Sequence, residues 1–207
     1  MKKYEKTGYL HHDFKIFHLT DHEMSAYDFH YHDFHKLLFF LSGNVTYCIE
    51  GKSYQLTPGD LVLVHAGEVH RPVIHDTTPY ERMIIYVSPD FAVTSSDKTI
   101  FLNQCFLPDA AMPSNVLHLS GMKERRLLDT MTELVHSFSG NGFANELYQN
   151  TLFLEFMIHL NRAALSGTLQ YEDSFQANEK ILSVLTYMNE HLTEDITVDS
   201  LAEHFFT

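Results

Sequence analysis

The sequence predicts a mainly β fold with a helical C-terminal part: an antiparallel β-barrel, then a helix pair, then the start of a second helical unit. Three observations carry this. Between Phe29 and Pro72, aromatic and β-branched runs are cut by Ser42-Gly43-Asn44, Glu50-Gly51-Lys52 and Pro58-Gly59-Asp60, the pattern of short strands joined by tight turns. From Ser120 the apolar period lengthens, and Leu127, Leu128, Met131, Leu134, Val135 and Phe138 form one helical stripe. A second stripe, Ile181, Leu182, Leu185, Met188 and Leu192, follows a polar stretch.

Taken in order, residues 8–20 form opening strands around Asp13. His11, His12, His18 and His22 add to the histidine count without a role for any one of them. The barrel runs from about Ala26 to Ser88. Leu61 to Val64 is continuously apolar, which suits a strand buried on both faces. Arg82 to Val87 is similar and closes the barrel, and Pro89 cannot extend a ladder. Residues 91–119, with Pro108 and Pro113, are expected to wrap the barrel as a short helix, a loop and a strand around Val116–Leu119.

Ser120 is a good N-cap for the first helix, and Gly140-Asn141-Gly142 breaks it. The second helix spans about Ala144 to Ala164. Its stretch TLFLEFMIHL is apolar nearly all round, so it is buried on more than one side. Ser166 to Ala177 is a polar linker, and Asn178 to Leu192 is helical. Thr197 caps a further helix, with Ser200 where a capping box has Glu. The division expected is a barrel over 1–119, a helix pair over 120–165, a linker over 166–177 and the first part of another helical domain over 178–207.

The 207 residues suffice for one or two domains with a real core. An apolar fraction of 44% and a charged fraction of 20% are those of a soluble globular protein. A net charge of −13 argues against this chain's own surface holding nucleic acid, because phosphate contacts need Lys and Arg. Cys48 and Cys105 suit free thiols in a reducing cytoplasm, although sequence leaves a disulfide between them open. No signal peptide is visible, and no apolar run is long enough to span a membrane. The expectation is a cytoplasmic protein without a membrane partner.

The chemistry lies in the barrel. His30 and His32 sit two apart, so a strand turns them to one face, and His70 starts a later strand. Alternation without a bulge puts Lys36 on that face too. Tyr47 is a candidate wall, joined by Phe34, Phe40 and Tyr86 where they turn inward. Two chemistries stay open. Three neutral imidazoles are enough for a divalent ion such as Zn²⁺ or Ni²⁺, but an ammonium at Lys36 repels a cation, and His35 could replace it only through a bulge. Alternatively, His30, His32, Lys36, Tyr47 and His70 line a small-molecule pocket in which Lys36 favours a sugar or an organic anion. No cofactor is required by this second chemistry. His65, Arg71 and His75 are rim or loop positions, and the cysteines are small buried apolar groups.

The segment resembles the two motifs of the cupin barrel. The first, His-x-His, three residues, Glu, six residues, Gly, is met by His30, His32 and Gly43, with Lys36 in place of the glutamate. The second, Gly, five residues, Pro, x, Gly, two residues, His, is met by Gly59, Gly67 and His70, with His65 in place of the proline. Met24 stands where a glycine precedes the first motif, and Ile74 replaces a frequent asparagine. The C-terminal stretch, with Ile196, Val198, Leu201, Ala202 and Phe205, is similar to the first helix-turn-helix of the AraC/XylS family of transcription regulators, whose sensor half is a cupin barrel followed by a dimerising helix pair. That resemblance covers the whole chain in the family's order. It implies an effector in the barrel, a homodimer, no catalytic residue, and DNA bound through a domain that continues beyond Thr207. A metal-dependent cupin enzyme (a dioxygenase or isomerase) and a stand-alone sugar-binding module are the alternatives, and neither accounts for residues 178–207.

Overall fold

The computed structural model describes residues 4–22, 27–95, 98–106, 114–119, 125–167, 169, 187 and 197–205. The expected N-cap Ser120, the prolines Pro108 and Pro113, most of the polar linker and, except for Tyr187, the helix over Asn178–Leu192 lie outside the described residues.

The strands are β1 (Glu5–Lys6), β2 (Phe14–Asp21), β3 (His30–Tyr31), β4 (His35–Ser42), β5 (Val45–Ile49), β6 (Lys52–Gln55), β7 (Asp60–Val64), β8 (His70–Ile74), β9 (Tyr80–Val87), β10 (Ala92–Ser95), β11 (Lys98–Phe101) and β12 (Val116–His118). Their ladders form a five-stranded sheet in the order β1-β3-β8-β5-β6, a second in the order β12-β7-β4-β9-β2, and a hairpin of β10 and β11. Among the described residues the ladders form two sheets rather than one closed ring. Turn chemistry acts as expected at Glu50-Gly51, both at positive φ (46° and 78°), which suits a two-residue hairpin between β5 and β6. Gly43 is held by space as well as by its φ of 125°, since a Cβ there would come within 3.2 Å of the Tyr80 Cα.

Period-two alternation explains the layers. One face of the second sheet presents Leu38, Phe40, Val62, Val64 and Ile84 to Val45, Tyr47, Ile49 and Tyr54 of the first. Its other face presents Leu37, Phe39, Leu61, Leu63, Met83 and Ile85 to the helices. The unbroken apolar run of β7 follows, because both of its faces are buried. Helices α1 (Arg125–Ser137) and α2 (Asn145–Leu165) cover that outer face with Leu127, Met131, Leu134, Phe153, Phe156, Met157 and Leu160. Each such side chain contributes about 1.5–3 kcal/mol by burial. Asn161 pins α2 to the 3₁₀ turn Gln104–Phe106: its Nδ2 donates to the Leu102 carbonyl and its Oδ1 accepts the Cys105 N–H, both at 2.8 Å.

Two local expectations change. Residues 92–101 form a hairpin that was not expected, ahead of the short 3₁₀ helix at Gln104–Phe106 and the strand β12, with Ala92 paired to Phe101 and Ser95 to Lys98; its Val, Thr and Ile residues favour strand. The two residues of β1 pair in parallel with β3 (Glu5 with His30, Lys6 with Tyr31), where an all-antiparallel barrel was expected. A further helix, α3 (Val198–Phe205), is capped reciprocally by Thr197 and Ser200: the Ser200 N–H donates to Thr197 Oγ1 and the Thr197 N–H to Ser200 Oγ, both at 3.1 Å. A serine thus does locally what a capping-box glutamate does. Cys48 and Cys105 are free thiols. Among the described residues no helix is long and apolar enough to cross a membrane.

Candidate functional site

The site lies between the two sheets. His30 on β3 is paired directly with His70 on β8, and His70 with Ile49 on β5. Tyr47, two residues before Ile49, therefore shares the inner face. His32 follows β3, with its ring stacked on Phe34 at 4.6 Å. The ring centroids of His30, His32 and His70 lie 4.6 to 5.1 Å apart. From the opposite sheet β4 contributes Lys36, whose Nζ stands 5.6 Å from the Tyr47 ring centroid. Of the other walls, Tyr86 contacts Phe34 and His32, whereas Phe40 packs in the core against Tyr80.

Hydrogen bonds to backbone carbonyls set the tautomers. His30 Nδ1 donates to the Asp28 carbonyl at 2.8 Å, His70 Nδ1 to the Glu68 carbonyl at 3.0 Å, and His32 Nδ1 to the Thr7 carbonyl. A carbonyl oxygen only accepts, so each ring carries its proton on Nδ1 and keeps a lone pair on Nε2. His32 Nε2 and His70 Nε2 are buried without any partner, as is the Tyr47 hydroxyl. One ligand atom from each of the three histidines lies within 4.8 Å of the others.

The rings are neutral at physiological pH. Burial pushes His70 down to about 2 and His32 down to about 4, and the nearby Lys36 acts in the same direction on both. Burial lowers His30 as well. Lys36 is 6% exposed. Burial first, then the charge of Arg82, lowers its amine from 10.5 to about 7. Arg82 is itself paired to Asp21 at 2.7 Å, so no acid of this group is left for Lys36. Burial holds the Tyr47 phenol well above its usual value, so it stays a neutral hydroxyl.

The donor set fits a divalent ion in chemistry: three neutral imidazoles, each oriented by a carbonyl on its far nitrogen. With metal–nitrogen bonds of about 2.1 Å, ligand atoms up to 4.8 Å apart need ring movement of the order of 1 Å. Lys36 opposes the ion less than an ordinary ammonium would, because at neutral pH it is about half deprotonated. His35 does not join the group. It stacks on Phe106 at 4.2 Å on the helix side of β4, and its Nδ1 accepts the Ala66 N–H.

A cleft of about 700 Å³ opens above His30, lined also by Tyr4, Thr7, Phe29 and Arg71. Arg71 stacks over Phe29 at 4.2 Å and lines the rim of that cleft, as expected. Sequence reasoning missed Thr7 and Glu68. Both act through main-chain carbonyls, which leave no residue-type signal. His75 bonds Thr46 on the outside. A second cleft of about 430 Å³, between β2 and the start of α2, gathers no unpartnered buried group among the described residues.

Residues 13–157 match the AraC-like ligand-binding domain. The chain belongs to this family. Comparison with curated proteins returned no match. Among solved structures, the AraC-like chain is similar to ToxT from Vibrio cholerae (13% identity, TM-score 0.44, 95% of this chain and 72% of that one). It is also similar to an RmlC-like cupin family protein with a double-stranded β-helix fold from Methanocaldococcus jannaschii (16% identity, TM-score 0.33, 36% of this chain and 70% of that one). A third likeness is to the DMSP lyase DddQ from Ruegeria pomeroyi (18% identity, TM-score 0.34, 47% of this chain and 46% of that one).

Proposed function

We propose that this chain is the effector-sensing and dimerisation region of an AraC-type DNA-binding transcription regulator, with a small molecule bound between the sheets. The observation that carries this is the buried cluster of unpartnered polar groups in an AraC-like ligand-binding domain: buried groups of this kind call for a partner. The polarity of the cluster selects the partner. The Nε2 lone pairs of His32 and His70 are buried and unpartnered, so they accept hydrogen bonds, and a ligand satisfies them by presenting hydroxyl donors. A carboxylate would set lone pair against lone pair. Between a sugar and an organic anion, the site favours the hydroxyl-rich compound, and it needs no cofactor for that.

Dimerisation is assigned to α2. Leu147, Leu154, Ile158 and Leu165 recur at offsets of 7, 4 and 7 residues, one helical face, and Leu147, Ile158 and Leu165 are exposed at 66%, 39% and 75%. DNA contact is assigned to a basic helix-turn-helix domain of which α3 is the first helix. A chain of net charge −13 is not itself suited to phosphates, and the protein acts in the cytoplasm. The convergent lone pairs also suit the second reading, a metal-dependent cupin enzyme. A thermal-shift screen against sugars, organic acids and divalent ions decides between them, since a ligand selective for the folded state raises Tm. Polyols and sugars should raise it. A rise with Zn²⁺ or Ni²⁺ alone would favour the enzyme.

A further inference from the structure

Hydroxyl recognition leaves one group of the site unused. Lys36 is buried on β4 and has neither an ion pair nor a hydrogen bond among the described residues. Its Nζ stands over the Tyr47 ring, whose hydroxyl is buried and unpartnered, and the free Nε2 atoms of His32 and His70 belong to the same cluster. A buried amine without an acid, beside a neutral phenol and neutral imidazoles, is the constellation of a nucleophile with a proton donor and proton acceptors at hand.

We propose that the effector is a small hydroxyaldehyde or hydroxyketone, and that Lys36 captures it covalently as an imine. This rests on the sensing role above and names the ligand class of that same site. In the step, the Nζ lone pair attacks the carbonyl carbon, and the carbonyl π pair moves to oxygen, which takes a proton from the Tyr47 phenol. Nitrogen gives up one proton to an imidazole Nε2. That imidazolium protonates the resulting hydroxyl, which leaves as water, and the nitrogen lone pair closes the C=N bond. The Tyr47 phenolate then takes the remaining N–H proton, so that phenol and imidazole are both restored. The amine and the carbonyl compound become imine and water, with no change of oxidation state and no co-reactant. The hydroxyls beside the carbonyl donate to the remaining imidazole lone pairs, which places the carbonyl carbon near Lys36. The lowered basicity of Lys36 supports the same assignment, because the free amine is then abundant at neutral pH.

The test uses the full chain at pH 7 with glycolaldehyde or glyceraldehyde and a hydride reductant that traps imines, followed by peptide mass mapping. Lys36 should be labelled about tenfold or more faster than the exposed Lys15 and Lys98, because surface ammonium groups are almost wholly protonated at that pH. Glycerol, which offers hydroxyls but no carbonyl, should slow labelling of Lys36 alone. Lys36→Arg and Lys36→Met should lose the fast label and keep the slow one. Tyr47→Phe should slow the fast label while leaving the melting temperature response to glycerol. Labelling of Lys36 no faster than Lys15 overturns the imine. A melting temperature raised equally by glycerol and glyceraldehyde, with no label at Lys36, overturns it too and leaves the sensing role standing. Fast labelling of Lys36 without a melting temperature rise for any sugar, acid or ion sinks the sensing role and keeps the nucleophile.

Discussion

Replacing Lys36 with methionine should stabilise the protein, most strongly at neutral pH. The side chain is unbranched and of similar length, so the change keeps the packing and removes the amine. The folded chain holds the amine at about 7 against 10.5 in the unfolded chain. Between those values the unfolded state binds more protons, so wild-type stability rises with pH through this window. The penalty of burying the amine is fully present below pH 7 and fades above it. It amounts to about 4 kcal/mol at pH 7 and about 2 kcal/mol at pH 9. At about 2–4 °C per kcal/mol for a chain of this size, the gap in Tm between Lys36→Met and wild type should shrink by about 5–9 °C from pH 7 to pH 9. The comparison has to be made between the two proteins at each pH. Burial raises the Cys105 thiol, which makes both proteins less stable as pH rises and cancels in the difference. Differential scanning fluorimetry at pH 7, 8 and 9 is sufficient. A variant less stable than wild type at pH 7, or a gap that does not change with pH, would mean that Lys36 is charged and partnered in the fold, and the electrostatic account of the site would fail.

Four further outcomes are expected. Acid should weaken the fold: His32 and His70 stay neutral to about 4 and about 2 while the unfolded imidazoles charge below about 6.5, so the unfolding free energy from urea titrations should fall from pH 6.5 to pH 5 by about 1.6 kcal/mol per histidine, and less steeply in His70→Gln. Lys36→Glu should tighten Zn²⁺ or Ni²⁺ by about tenfold or more in titration calorimetry; a full equivalent of metal that survives chelation in wild type, and is lost in His30→Ala and His70→Ala, would instead favour the metalloenzyme. Light scattering should find a dimer that Leu147→Glu combined with Ile158→Glu dissociates, since each charge enters an exposed apolar seam; a folded double variant that stays dimeric would move the interface elsewhere. Gel-shift titration at 150 mM salt should show no sequence-selective retention of duplex DNA by this chain, as its net charge of −13 leaves few cations for phosphates.

Much of the layer order was legible because each layer writes its own period. The unbroken run Leu61 to Val64 announced a strand buried twice, and the stripe from Leu127 to Phe138 announced a helix lying on it. The approach of His30, His32 and His70 was legible through strand alternation and spacing. Their tautomers were not, because the oxygens of Asp28, Thr7 and Glu68 that hold them belong to the main chain. Alternation along one strand was expected to put Lys36 on the face of His32; instead β3 ends at Tyr31, and Lys36 reaches the histidines from β4 of the opposite sheet. Its lowered basicity was not legible, because it depends on burial and on Arg82, far away in sequence. The hairpin over 92–101 was missed although Val93, Thr94, Thr99 and Ile100 favour strand. The two-residue β1 is too short for any period to reveal.

The layers also set how a bound ligand could be felt by the helices. Lys36 and His35 are neighbours on β4, and alternation turns one toward the site and the other away from it. His35 stacks on Phe106, and the preceding Cys105 is bonded to Asn161 of α2. On the other flank, Glu68 holds His70 through its carbonyl, while its carboxylate accepts from Asn115 Nδ2 at 3.0 Å. Asn115 leads into β12, and its carbonyl accepts the Leu63 N–H at 2.7 Å. Both routes are one strand thick and run through close-packed groups, which tend to shift between discrete arrangements instead of deforming continuously. For the proposed sensor, a ligand that draws Lys36 or His70 inward acts on the same two strands that carry α1 and α2. Differential affinity for two arrangements of those strands is then all that a population shift requires.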